Sequence, residues 1–363
     1  MHKDKFLKFL IFFFLVSFFF PYPLYYVTSS QNKTSIAYSR IKDLLEDTQS
    51  LTFEKKIDVI SQFFLGKSYD SPVLGEGEGS YQNLPLYRFD KFDCTTYVET
   101  VLALANSIDM DDFERHIRQI RYKDGSVSFV ARNHFPSSDW IPNNVKAGYV
   151  NDATSQLASE AHIINTASSI IDKKVWYEKL HRAQLDAYLN STFHIAERTI
   201  TLPYLRYENI FLQVENNYLK KEVNLQKEML QKDFKKLKAY DKHKQENVLR
   251  EDLKELDYFY KRATSKINKT LLSRMPRVSV LNLLRFDDLN DENEAFENVF
   301  LQGFVIRKDN DYVLRHASSF SRKVVEVQIE EALEIYLIDP TIGGANILSI
   351  SKKEDKKNHA RKL

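Results

Sequence analysis

A single cysteine, Cys94, occurs in 363 residues. That excludes an internal disulfide framework and any zinc site built from cysteine pairs. No H-E-x-x-H run occurs, so a helix-borne zinc hydrolase site is also missing. No metal or other cofactor is expected. Glycine and proline are sparse, nine of each, and neither falls between Pro203 and Pro276. That span lacks the residues that most often interrupt helices. The formal net charge is only +2, which gives no general pull toward nucleic acid or an anionic surface. Gly75, Gly77 and Gly79 alternate with Glu76 and Glu78, and no Lys-Ser or Lys-Thr follows. Carboxylates there would repel phosphate, so the run reads as a flexible connection.

What is present is ordinary globular material, 43% hydrophobic and 28% charged, enough for one large domain or two small ones. The chain opens with His2, Lys3, Lys5 and Lys8 before an apolar block from Phe9 to Phe20 that Pro21 and Pro23 end. The block is short for a span of ~20 residues and has the length of a signal-peptide core. Residues 1–28 are therefore expected to be a signal peptide or an uncleaved N-terminal anchor, and the remainder an exported, periplasmic or envelope protein. Exported proteins usually pair their cysteines, so one free thiol there calls for a reason, and catalysis is one.

Cys94 heads an apolar run at helical spacing: Val98, Val101, Leu102 and Ala105 share a face. Asp93 can cap the first turn. A thiol at a helix N-terminus is expected to ionise more readily, because the dipole favours its anion. A buried structural cysteine is the alternative. Downstream, Arg132, Asn133, His134, Asp139 and Trp140 crowd one stretch that reads as a loop, where binding groups are often carried.

The pattern predicts helices over 36–65, 90–105 and 113–122, a strand over 126–131, and strands over 278–284, 299–307, 312–317 and 323–327. Leu219, Val223, Leu230, Phe234 and Leu237 form one apolar stripe. Leu249, Leu253, Leu256, Tyr260, Ala263, Ile267 and Leu271 form a second. Two such stripes around a polar joint predict a long antiparallel helical hairpin, which could recruit a protein partner. The expected organisation is a helical half over 36–206, a hairpin insertion over 207–273, a sheet half over 274–350, and a lysine-rich disordered tail over 351–363.

Five stretches together resemble one family. They are Phe92-Asp93-Cys94-Thr95-Thr96 with its helix; Ile120-Arg121-Tyr122 with Gly125; Arg132-Asn133-His134-Phe135 with Asp139-Trp140-Ile141-Pro142; Leu202-Pro203-Tyr204-Leu205; and Leu314-Arg315-His316-Ala317-Ser318. Pro340-Thr341-Ile342 with Gly344 and Asn346 fits as well. In this order they resemble the bacterial N-acetylmuramoyl-L-alanine amidase-like family, long described as a domain of unknown function and related to NlpC-type, papain-like cell-wall hydrolases. The resemblance spans about 65–350, apart from the hairpin. It implies an α+β papain-like domain with helices packed on a small antiparallel sheet. It also implies a peptidoglycan or stem-peptide substrate, Cys94 as nucleophile and His316 in the orienting position.

One departure stands out. The related hydrolases carry a base histidine in a pattern like Asn-Val-Ser-His-Leu-Gly-Phe, whereas this chain has Leu301 at that place. A thiol needs a base or a cationic partner to ionise at neutral pH. Three outcomes stay open. His316 acts as base with Gln302 orienting it; or His134 supplies the imidazole; or the site is inactive and binds cell-wall fragments or a protein partner, with Arg132, Asn133, Asp139, Trp140, Gln302 and Arg315 among the contacts.

Overall fold

The computed structural model of the chain describes residues 36–77, 84–158, 165–172, 197–206, 210–237, 239–285, 299–309, 311–336 and 342–353. The expected leader, Asn298, Pro340, Thr341 and the tail beyond Lys353 lie outside them. Among the described residues no helix is long and apolar enough to cross a membrane.

The chain begins with α1 (Ile36–Thr48) and α2 (Phe53–Phe63), then β1 (Ser68–Tyr69), β2 (Lys91–Phe92), α3 (Cys94–Ala105) and α4 (Met110–Arg121). It continues with α5 (Ile141–Ala147), β3 (Val150–Asp152), α6 (Thr154–Ala158), β4 (Asn165–Asp172), β5 (Glu197–Arg206) and β6 (Phe211–Gln213). The hairpin helices α7 (Asn217–Lys236) and α8 (Ala239–Ala263) lead to β7 (Ser265–Ile267) and α9 (Lys269–Arg274). Then follow β8 (Val278–Arg285), β9 (Val299–Lys308), β10 (Asp311–Ser318), β11 (Lys323–Gln328), α10 (Ile329–Tyr336) and β12 (Ile342–Ile350).

Among the described residues, ten strands join one sheet in the order β2-β1-β11-β10-β9-β8-β12-β5-β4, with β3 also on β12. All neighbours are antiparallel except β1 and β2, which are parallel. The chain is α+β, but the small antiparallel sheet of a papain-like, NlpC-type domain is not what forms: the sheet is large and mixed. Its faces are covered by two apolar clusters. Phe304, Val313 and Ala317 face α1 to α4, while Leu301, Val305 and Leu314 pack with α9 and α10. The strands β8 to β10 are buried nearly throughout because both faces are covered, which produces apolar runs with little alternation.

Local chemistry sets several boundaries. The predicted helix over 36–65 is two, because Thr52 breaks it and its side chain caps α2 by accepting from the Lys55 N–H. The predicted strand over 126–131 is a 3₁₀ turn at Phe129–Ala131, where the Ser128 hydroxyl accepts from the Ala131 N–H. The second hairpin stripe ends at Ala263. The Thr264 hydroxyl bonds back to the Tyr260 carbonyl, and Ile267 then joins β7, which pairs with β6 as a separate two-stranded ribbon. Ser351 and Lys353 bond back to the body, through the Tyr149 carbonyl and the Asn106 side chain.

Candidate active site

The Cys94 end of α3 is built by its cap. Asp93 is extended, its carboxylate accepts from the Thr96 N–H at 2.8 Å, and the Thr96 hydroxyl accepts from the Asp93 N–H at 2.9 Å. This reciprocal capping box starts the helix at Cys94. The rest of α3 is buried against the sheet, where Tyr97 packs on Phe304 with ring centroids 5.8 Å apart. The thiol is half-buried, and the Gln302 main-chain N–H of β9 faces its sulfur.

The thiol does not follow the expectation from its helix position. Burial, then the adjacent Asp93 carboxylate, push it up to about 11 from an ordinary 9. These outweigh the N–H groups of Gln302 and Thr95, which favour the anion. Cys94 is therefore a protonated thiol at neutral pH.

A cleft of about 390 Å³ opens beside it. The structure brings Arg132, Asn133 and His134 to this cleft with Cys94, and adds Tyr69, Glu99 and Arg121. The His134 ring lies tilted by 55° against Phe129, centroids 4.6 Å apart, and its Nε2–H donates to the Phe129 carbonyl at 2.7 Å. That bond assigns the proton to Nε2 and makes Nδ1 the accepting nitrogen. Arg132 donates to Glu76 through Nε at 2.6 Å and lies over Phe129. Asn133 holds the loop: its Nδ2 donates to the Ile120 carbonyl and its Oδ1 accepts from Asn143.

Glu99 was missed by sequence reasoning, although it is the one charged residue of α3. It is 2% exposed, its Oε2 has no hydrogen-bond partner, and Arg121 Nε lies 3.9 Å away. Burial raises its carboxyl to about 7, against the lowering effects of Arg121, Arg132 and the Trp140 indole N–H. Tyr69 and Arg121 carried no signal beyond the family pattern around Arg121.

The other expected site residues lie elsewhere. Asp139 is buried in the π-helical turn Pro136–Trp140 and accepts from the Phe135 N–H. Trp140 is fully buried in the first apolar cluster. Gln302 is fully buried on β9 opposite Asn282, and neither side-chain polar atom has a hydrogen-bond partner.

Arg315 is a structural cation rather than a cleft residue. Its Nη1 donates to the Asp58 carboxylate at 2.8 Å, the Asp58 carbonyl at 2.6 Å and Ser61 at 2.8 Å, and its Nε donates to Glu326. It ties β10 to α2. Burial raises the Asp58 carboxyl, but hydrogen bonds from Lys308 and Lys55 and the charge of Arg315 leave it below the usual range.

His316 is not among the residues that line this cleft. Side chains alternate along β10, whose pairing with β11 is regular. Tyr312 and Leu314 belong to the second cluster and Val313 and Ala317 to the first, so His316 falls on the face away from α3. Gly303 accommodates it: a Cβ at Gly303 would lie 2.8 Å from the His316 Cβ. Burial drops the imidazole to about 4, and its Nδ1 has no hydrogen-bond partner. Leu301, where the resemblance to the wider group of hydrolases implies a base histidine, packs into the second cluster. Among the described residues no group of three His, Cys, Asp or Glu is arranged to hold a metal.

Comparison with known proteins identifies the family of the chain. A profile of the AmiA-like family, described as N-acetylmuramoyl-L-alanine amidase-like, matches residues 59–337. The chain belongs to that family. A crystal structure of a Legionella pneumophila protein of the family DUF1460 is 26% identical, covers 86% of this chain and 93% of its own, and superposes with a TM-score of 0.64. An N-acetylmuramoyl-L-alanine amidase from Bacteroides uniformis is 19% identical over 83% of this chain and 99% of its own, with a TM-score of 0.47. At that level the likeness carries no weight about activity. Among curated proteins, none matches the chain significantly.

Proposed function

We propose that this protein is an exported peptidoglycan hydrolase of the amidase type, with Cys94 as its nucleophile. The scissile bond is the amide between the muramoyl lactyl group and L-alanine, or an amide of the stem peptide. The observation that carries the reading is the meeting of Cys94, at the capped start of α3, with His134 and two arginines in one cleft.

The chemistry follows from these groups. The Cys94 sulfur attacks the amide carbonyl carbon as His134 Nδ1 takes the thiol proton. Because the resting thiol is protonated, ionisation is concerted with attack. The Gln302 N–H and the N–H groups at the start of α3 stabilise the developing oxyanion. The C–N bond breaks, the leaving amine receives the proton from the imidazolium, and a thioester remains. Water, deprotonated by His134, then releases the acid and restores the thiol.

A second reading has its own support: the thiol near 11 and Leu301 in the base position fit an inactive relative that binds cell-wall fragments. The test is stem-peptide release from purified muropeptides by mass spectrometry. The catalytic reading expects release abolished by Cys94→Ala, reduced ~10²–10⁴-fold by His134→Ala, and altered only a few-fold by His316→Ala. Binding without release by the natural protein would favour the second reading. Release unaffected by His134→Ala would remove the assigned base.

A further inference from the structure

The hairpin α7–α8 has no place in the catalytic cleft, and its charge is unevenly distributed. α7 is 20 residues long, about 30 Å at ~1.5 Å per residue. Val223 is its one buried residue, and the described side chains of α8 are exposed or half-exposed. The two helices cover each other along the stripe of Leu219, Leu230 and Phe234 facing Leu249, Leu253 and Leu256, all half-buried. The hairpin is an arm rooted at the β6–β7 ribbon, with α7 ending at Lys236 and α8 beginning at Ala239.

The arm's turning end is its most basic part. Residues 232–244 contain six lysines, Lys232, Lys235, Lys236, Lys238, Lys242 and Lys244, against Asp233 and Asp241. The formal charge of this stretch is +4, while the whole chain carries +2, so the remainder is net acidic. Lys232, Lys235 and Lys236 are exposed. The pairing of Lys236 with Asp233 at 2.7 Å joins two groups about two-thirds exposed, so it neutralises little. Phe234 lies in the stripe between the helices; Tyr240 is interleaved with the lysines in the sequence, and Met229 nearby is 58% exposed.

We propose that the tip of this arm docks on an anionic phospholipid surface. Four to eight clustered basic residues beside an apolar or aromatic face are the composition that binds acidic headgroups, through diffuse attraction plus shallow insertion. The cations are all lysine, with no arginine in the stretch. Arginine's planar fork is the group suited to fixed bidentate phosphate contacts in nucleic acid, whereas lysine acts as a mobile point charge. The arm thereby holds the amidase-like body beside the membrane, independently of the apolar N-terminal stretch.

The test uses the full chain with vesicles of phosphatidylcholine alone and of phosphatidylcholine with about 30% phosphatidylglycerol, read by co-sedimentation. Two variants are compared with the natural protein, carrying Lys232, Lys235, Lys236, Lys242 and Lys244 all changed to Gln or all to Arg. The Gln variant should lose at least about tenfold in affinity for the anionic vesicles, and the Arg variant should retain it. Raising salt from about 50 to about 300 mM should weaken the natural protein and leave the Gln variant unchanged. Neutral vesicles should take up all three proteins equally, because the apolar N-terminal stretch is common to them. Equal binding of natural and Gln proteins to anionic vesicles would overturn the proposal. So would a short DNA duplex that displaces the vesicles from the lysines.

Discussion

The thiol of Cys94 offers the sharpest test of how this site is tuned. Burial and Asp93 place it near 11 rather than 9. Each unit is a factor of ten in ionised fraction, so at pH 8 the folded protein holds about a hundredfold less thiolate than the unfolded chain. Iodoacetamide alkylation followed by mass spectrometry should therefore keep rising about tenfold per pH unit past pH 9. The same protein in guanidinium should level off near 9. The shape of the profile is the readout, because a half-buried thiol is also slowed by access. Asp93→Asn isolates one cause. Asparagine caps a helix about as well as aspartate, so α3 should start unchanged while the like charge is removed. The thiol should then fall toward 9 without passing it, since burial is the larger cause, and alkylation at pH 8 should speed up by as much as about tenfold. A folded protein whose profile levels off at or below pH 9 would refute the reasoning and mean that a partner already activates the thiol.

Three further outcomes are expected. Arg315→Ala strands the buried Asp58 carboxylate with only lysine partners, and should cost about 3 kcal/mol in urea unfolding while leaving turnover per folded molecule unchanged; a raised KM at unchanged stability would return Arg315 to substrate contact. Gly344→Ala places a Cβ 2.2 Å from the Leu205 carbonyl oxygen and should cost about 3 kcal/mol or more, because backbone cannot yield as a side chain can; an unchanged midpoint would contradict the close approach of β12 and β5. Glu99 has a folded pKa of about 7 against 4.5, so its contribution is intact below about 4.5 and lost as pH rises through 7, about 3 kcal/mol in all. Glu99→Gln should remove that slope from the pH dependence of stability, and the same slope in both proteins would show that Glu99 is not the group titrating.

The chain's motifs, taken in order, resembled the family, and its own pattern determined the start of the Cys94 helix and the strands β8 to β11. The last two rest on local chemistry: a cap beside an apolar stripe, and apolar runs between turns. Only the tertiary structure decided the rest. The size of the sheet depends on β4, β5 and β12, which pair across long separations that no local period records. The face on which His316 lies is set by its parity along β10 relative to Val313 and Ala317. The same parity turns Arg315 inward to Asp58, a partner 257 positions away, so a residue that reads as a binding group serves as a strut. The thiol's proton is decided the same way. The helix dipole that sequence reveals favours the anion, but the burial that only packing creates, together with the desolvated Asp93 next to it, is larger and holds the proton in place.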